Sequence, residues 1–371
     1  MAASYATEAV QVREPEIKNP RLRMQSIQVL RAVAASLVVY DHVGHALERL
    51  AQDGILHHPS WLAASGFSSI GACGVDLFFI ISGFIMVCTT DGKSGRTRAL
   101  QFLKRRALRI YPLYWFWSTV YFFLAAFHIV SHVRQHGFVA TATTYTLFPY
   151  FNGTDFKPPI SAGWTLSYEM LFYFIFAISI WAGIRMLRLP FVAAVFLLLA
   201  GVGLLLPVNH PLRYLFTDPV ILSFLFGIVA GETYLWAQRK NFQLPRAIAL
   251  LSIGLGAAGL ICSVMVESTE ANRAFIWGIP SFLIILGAIF YRTEKYPRLL
   301  VYLGDASYSI YLTHWIFTIG CLPFIRHLSV LQNMNGDLEL LLIGTSAIAC
   351  TAWSYKLVEL PLKRLAERII P

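Results

Sequence analysis

Residues 26–45 read SIQVLRAVAASLVVYDHVGH, and this segment decides what kind of protein the chain is. Its apolar run suits a membrane, yet it carries Arg31 and His42. The two are eleven positions apart. On an α-helix that is a turn of about 1100°, within ~20° of three full turns, with a rise of ~16 Å. Both side chains therefore share one face at two depths. An ionisable residue inside a bilayer is costly, and two on one stripe point to a pathway or an active site.

The rest of the chain agrees with a membrane setting. Of 371 residues, 57% are hydrophobic and only 13% charged, about half the charged share of a soluble domain. The sequence predicts an all-α polytopic membrane protein of ten spans, near residues 26–44, 70–90, 111–131, 161–182, 191–207, 214–236, 246–266, 273–291, 306–326 and 337–358. Residues 1–22 form a polar tail without the pattern of a cleavable signal. Residues 23–371 read as one transmembrane domain, with no repeat and no separate soluble unit.

Orientation follows from lysine and arginine in the loops. Arg13, Lys18, Arg21 and Arg23 precede the first span, and a dense run from Lys93 to Arg109 follows the second. Further basic residues recur at every second loop and at the C-terminal end. Only Arg49, Arg134, Lys157, Arg213, Arg273 and Arg326 fall on the other side. Both termini are thus expected in the cytoplasm, in a cell inner membrane. The net charge of +10 is read as topology rather than as a nucleic-acid surface. The five cysteines, Cys73, Cys88, Cys262, Cys321 and Cys350, form no CxxC pair and stand with no histidine at metal spacing, so no metal is expected.

Depth along each span groups the polar residues. With the first span rising from the cytoplasm and the second and fourth descending, His42, Asp76 and Glu169 are expected in one outer layer. One imidazole and two carboxylates at one level suit proton transfer. Asp41 is expected to point elsewhere on its helix. His314, in LGDASYSIYLTHW, is expected nearer the cytoplasmic half in a structural role, and Glu359 in VELPLKR is expected to pair with a cation. Ser82 and Gly83 are small residues that permit close helix packing.

The string KRRALRIYPLYW enters the third span and carries Lys104, Arg105, Arg106 and Arg109. Arg106 and Arg109 are spaced to share a helical face. Arginine forks match phosphate oxygens, and a cluster beside a membrane serves either lipid headgroups or the phosphates of a large soluble donor. Arg31 lies between this cluster and His42. No Walker loop or dinucleotide fingerprint is present, so neither ATP nor NAD is indicated.

Taken together, these strings resemble the acyltransferase-3 family of bacterial integral membrane O-acyltransferases, in particular its polysaccharide-modifying branch. The resemblance covers residues 24 to 365. It rests on LRAVAASLVVYDH, GVDLFFIISGFIM, RRALRIYPLYW, WTLSYEMLFY, LGDASYSIYLTH and VELPLKR, all in family order. It implies transfer of an acyl group, most often acetyl, from cytoplasmic acetyl-CoA to a hydroxyl of an exopolysaccharide, O-antigen or lipid-linked glycan. It implies that His42 is the essential histidine, Arg31 its paired arginine, Arg106 and Arg109 part of the CoA side, and Glu169 the acidic motif residue. Combined with the layout of the residues, Lys104 and Arg105 are expected to add to the CoA-phosphate site, and Glu169 or Asp76 to orient His42. Asp41 departs from the usual apolar or aromatic neighbour of the histidine. Direct transfer and an acyl-enzyme both stay open, as does homo-oligomerisation. The rival reading from another class is a proton-coupled transporter or flippase that uses the same intramembrane His, Asp and Glu.

Overall fold

A computed structural model describes residues 20–127, 145–147, 162–185, 187–269, 271–291, 293 and 295–368. Most of the predicted tail, the end of the third predicted span, Arg134, Lys157 and Arg292 lie outside the described residues. Among the described residues the chain is helical, without a strand. Ten helices are of twelve residues or more: α1 Pro20–Gln52, α2 Cys73–Thr90, α3 Arg96–Ala126, α4 Gly163–Trp181, α5 Arg188–Leu205, α6 Leu222–Arg239, α7 Arg246–Cys262, α8 Ile279–Phe290, α9 Ser307–His327 and α10 Gly336–Ser354.

Each falls on one predicted span. Seven of these segments are long and apolar enough to cross a membrane. The other three are α1, which carries its own ionisable residues, α3, whose first half is basic, and the shorter apolar stretch Ala274–Phe290. The third element differs from its prediction in where it begins. The helix starts at Arg96 rather than near 111, so the basic run is helical and continuous with the apolar half. Pro112 lies inside it and removes the N–H that would meet the Leu108 carbonyl.

The layers follow from which helices have polar or small faces to bury. α2 lies at the centre, with most of its residues buried, between α1 and α6. α5 and α7 lie outside, and Leu197, Leu205, Leu251 and Ile261 on them are widely exposed. Such a face has lipid as its natural cover.

Close approach depends on glycine at two places. Gly83 of α2 meets Gly227 of α6, where a Cβ on Gly83 would lie 2.5 Å from the Phe224 carbonyl oxygen. This is the small-residue helix packing expected around Gly83. Gly304, in the short helix Arg298–Asp305, sits against Gln28 of α1, with a virtual Cβ only 2.0 Å from the Gln28 carbonyl oxygen. The short helix therefore runs beside the start of α1, and α9 begins only above it.

Replacing Gly227 by leucine is expected to force α2 and α6 apart, at a cost of about 1–3 kcal/mol or more. Thermal unfolding of the purified protein in detergent checks this, with Gly254→Leu, where the added side chain meets open space, as the neutral control.

Candidate active site

Most of the candidate site residues line two hollows that share wall residues. The first, of about 710 Å³ including its open part, is lined by Arg31 of α1, Ser82 of α2, Arg106 and Arg109 of α3, Glu169 and Tyr173 of α4 and Tyr308 of α9, among others. Three guanidinium groups thus face one carboxylate. Glu169 is half-buried, and its Oε1 accepts from Ser82 Oγ at 3.2 Å and from Tyr173 OH. Arg31 is buried and donates to Gln28 Oε1 at 3.2 Å. The Arg106 guanidinium lies over the rings of Phe102 and Tyr173, at 5.6 and 5.7 Å from their centroids. Its Nε is buried without a hydrogen-bond partner among the described residues. The excess of positive charge and the unused N–H suit an anionic ligand.

Arg105 stands apart from this group. It is exposed, and its Nε donates back to the Gln101 carbonyl oxygen at 3.2 Å. It does not line the hollow, although it stands one turn before Arg109 on the same helix. Glu359 accepts from Ser309 Oγ at 2.6 Å. Among the described residues it forms no ion pair, although its charge reaches Arg31.

The second hollow, of about 530 Å³, holds His42 with Val38, Asp41, Trp164, Arg273, Tyr311 and His314 along its walls. His42 Nδ1 is 2.9 Å from the Val38 carbonyl oxygen. A carbonyl can only accept, so in the neutral ring the proton sits on Nδ1 and Nε2 keeps its lone pair. His314 Nδ1 is likewise 3.2 Å from the Ile310 carbonyl oxygen. The two imidazole rings meet edge to face with centroids 4.9 Å apart. Trp315 packs on the other side of His42 at 5.6 Å.

Both hollows list Val75 and Tyr311 among their walls. Tyr311 OH and Thr165 Oγ are hydrogen-bonded at 2.7 Å, and both reach the Ala162 carbonyl oxygen, at 3.5 and 3.0 Å. The Tyr311 ring rests against Phe78. This wall holds the two compartments at one side chain's distance.

The single outer layer of His42, Asp76 and Glu169 is corrected by this arrangement. Ala162 and Trp164 already line the His42 hollow, so α4 starts at that level. Glu169 then lies ~10 Å further down the helix, among the arginines. Asp76 has no exposed surface and does not line the His42 hollow. Its Oδ1 accepts from Ser223 Oγ and its Oδ2 from Arg273 Nη2, each at 2.8 Å. Asp76 reaches the hollow only through Arg273, whose guanidinium also stacks over Trp277 at 4.8 Å.

Two further expectations change. Asp41 does not point away. It is buried in the His42 hollow, with Oδ2 3.8 Å from His42 Nδ1 and Oδ1 3.4 Å from His45 Nδ1. His314 is not at a lower level than His42, because the short helix Arg298–Asp305 occupies the depth at which α9 was expected to begin. Arg273 was read as a loop residue, but the π-helical turn Ala274–Gly278 that follows it tucks its side chain inward. Its signal was local: it is the last charged residue before the apolar stretch to Phe290. All five cysteines are free thiols, and among the described residues no cluster of His, Cys, Asp and Glu gathers as a metal site.

A multi-helical membrane fold with a histidine hollow beside an arginine hollow is the setting of a membrane acyltransferase. Residues 24–356 match the model of the acyltransferase domain family Acyl_transf_3, and the chain belongs to that family. It is 34% identical over 256 residues to the exopolysaccharide production protein ExoZ of Rhizobium meliloti, an alignment that covers 66% of this chain and 76% of that protein. It is 26% identical over 329 residues to the peptidoglycan O-acetyltransferase OatA of Listeria monocytogenes, covering 80% of this chain and 49% of the relative. The chain thus spans about half the length of that relative. The acyltransferase MdmB of Streptomyces mycarofaciens is 26% identical over 402 residues, with 95% of each chain covered. No solved structure matches the chain.

Removing one partner of the Asp76–Arg273 pair strands a buried charge. Asp76→Leu and Arg273→Met are each expected to destabilise by about 3–5 kcal/mol, and the double variant by less than their sum. Thermal melts of the three purified variants measure the coupling.

Proposed function

We propose that this protein transfers an acetyl group from cytoplasmic acetyl-CoA to a hydroxyl of an extracytoplasmic or lipid-linked polysaccharide, in a cell inner membrane that it crosses ten times with both ends in the cytoplasm. The observation that carries the reading is the free Nε2 lone pair of His42 in a hollow that adjoins three arginines across a single wall. The names of two relatives, for exopolysaccharide production and for O-acetylation of peptidoglycan, favour a glycan acceptor.

Arg31, Arg106 and Arg109 would hold the anionic part of the donor, and the half-buried Glu169 would keep their forks in place through Ser82 and Tyr173. Arg105 and Lys104, exposed beside them, would add charge at the cytoplasmic surface. The donor supplies an acyl carbon activated as a thioester. His42 Nε2 takes the proton of the acceptor hydroxyl while the hydroxyl oxygen bonds to the acyl carbon. The C–S bond breaks, and the same nitrogen returns the proton to the departing sulfur. The Val38 carbonyl holds the tautomer that leaves Nε2 basic. Asp41, beside the ring, stabilises the positive charge that appears on it during transfer. Asp76 acts at one remove by fixing Arg273.

Membranes carrying the wild type are expected to move radiolabelled acetyl from acetyl-CoA into glycan, and His42→Ala at matched levels to lose about 10²- to 10⁴-fold of that rate. Arg109→Ala is expected mainly to raise the KM for acetyl-CoA, by about tenfold. Unchanged transfer in His42→Ala would sink the assignment.

A further inference from the structure

The walls of the His42 hollow hold more unused hydrogen-bonding capacity than proton transfer at one hydroxyl requires. Asp41 Oδ1, His314 Nε2 and Arg273 Nε are all buried without a hydrogen-bond partner among the described residues, and all three residues line this one hollow. Asp41 and His314 are themselves 8% and 1% exposed. Their chemistry is specific. A carboxylate oxygen accepts. His314 uses its Nδ1 proton on the Ile310 carbonyl, so its Nε2 also accepts. Arg273 has Nη2 on Asp76 and on the Ala72 carbonyl, which leaves its Nε–H to donate. With His42 Nε2, the hollow presents three acceptors and one donor.

Buried polar atoms in folded proteins are normally partnered, so this set describes a missing ligand. An acetyl thioester end offers carbonyl oxygens but no O–H, and it cannot satisfy two further acceptors. A sugar ring offers adjacent O–H groups and ether oxygens together. Trp164 completes the hollow with an apolar wall.

We infer that the hollow binds a sugar through two hydroxyls next to the reacting one, accepted by Asp41 Oδ1 and His314 Nε2, with Arg273 Nε–H donating to an oxygen of the same ring. This deepens the reading of the preceding section and rests on it. The acceptor is then selected by a run of neighbouring free hydroxyls, and a residue already substituted beside the reacting position is rejected. Asp41 and His314 act as specificity-determining residues, and Asp76 as the positioning residue that turns the Arg273 fork.

The test uses the purified full chain in lipid nanodiscs, radiolabelled acetyl-CoA, and methyl hexopyranosides of gluco, galacto and manno configuration with their monodeoxy analogues. For the best parent glycoside, the wild type is expected to discriminate against two of the monodeoxy forms by about 10- to 100-fold in kcat/KM. His314→Leu is expected to raise the KM for the parent glycoside, leave the KM for acetyl-CoA in place, and abolish discrimination against one deoxy position. Asp41→Ala is expected to abolish discrimination at the other, together with a lower kcat from loss of its charge beside His42. His314→Gln, which returns an amide near the position of Nε2, is expected to restore part of the discrimination in a fold that both variants must share by size-exclusion profile. Equal use of parent and deoxy glycosides by the wild type overturns the inference. So does an unaltered deoxy preference in both His314→Leu and Asp41→Ala. A wild type that turns over acetyl-CoA but acetylates none of the glycosides also overturns it and leaves the donor reading standing. A wild type that turns over no acetyl-CoA with any acceptor, native glycan included, overturns the preceding section instead.

Discussion

The structure depends on one ion pair, Asp76–Arg273, whose carboxylate is fully buried. Asp76 has no exposed surface, and it survives there because Arg273 and Ser223 meet both of its oxygens. Charges in a low-dielectric interior are tolerated only when paired and hydrogen-bonded. This pair ties α2 to α6 and to the π-helical turn before α8, three segments far apart in the chain. The turn it anchors forms part of the histidine hollow. A stability device and a site wall are therefore the same side chain, seen from opposite ends of Arg273.

Around that anchor the chain separates two kinds of chemistry. The arginine hollow gathers three guanidinium groups around a single carboxylate, and the histidine hollow sets the His42 ring against the Val38 carbonyl, with Arg273 held in its wall by Asp76. The wall of Val75 and Tyr311 holds the two hollows apart. The central α2 supplies groups to both sides of this division, which is why it is buried nearly all round while α5 and α7 show leucines outward.

Much of this was legible in the residues. The apolar segments marked the helices, and the spacing of Arg31 and His42 put both on one face of α1. The spacing of Arg106 and Arg109 put both into one hollow, and Ser82–Gly83 marked a close helix contact. Depth was not legible. Counting residues from a span's edge assumes that helices start at a common level, and two do not. α4 starts at the level of His42, which drops Glu169 to the arginines. α9 starts above the short helix that Gly304 seats on Gln28, which raises His314 to His42. Arg273 was hidden for a related reason: its inward turn comes from tertiary pairing with Asp76, and its neighbours in sequence carry no trace of that partner.

The wall between the hollows has a consequence for proton traffic as well as for catalysis. Two polar cavities that approach one another inside a helical bundle threaten to join into a path for protons. Here the barrier is insulating as well as thin. Tyr311, the polar residue of the shared wall, has its hydroxyl tied to Thr165, and both hydroxyls end on the Ala162 carbonyl oxygen. The remaining surfaces are the side chain of Val75 and the ring of Phe78 behind Tyr311. A proton arriving from either side finds no open chain of hydroxyls to hop along. The same two side chains that part the chemistry of the site thus seal one hollow from the other.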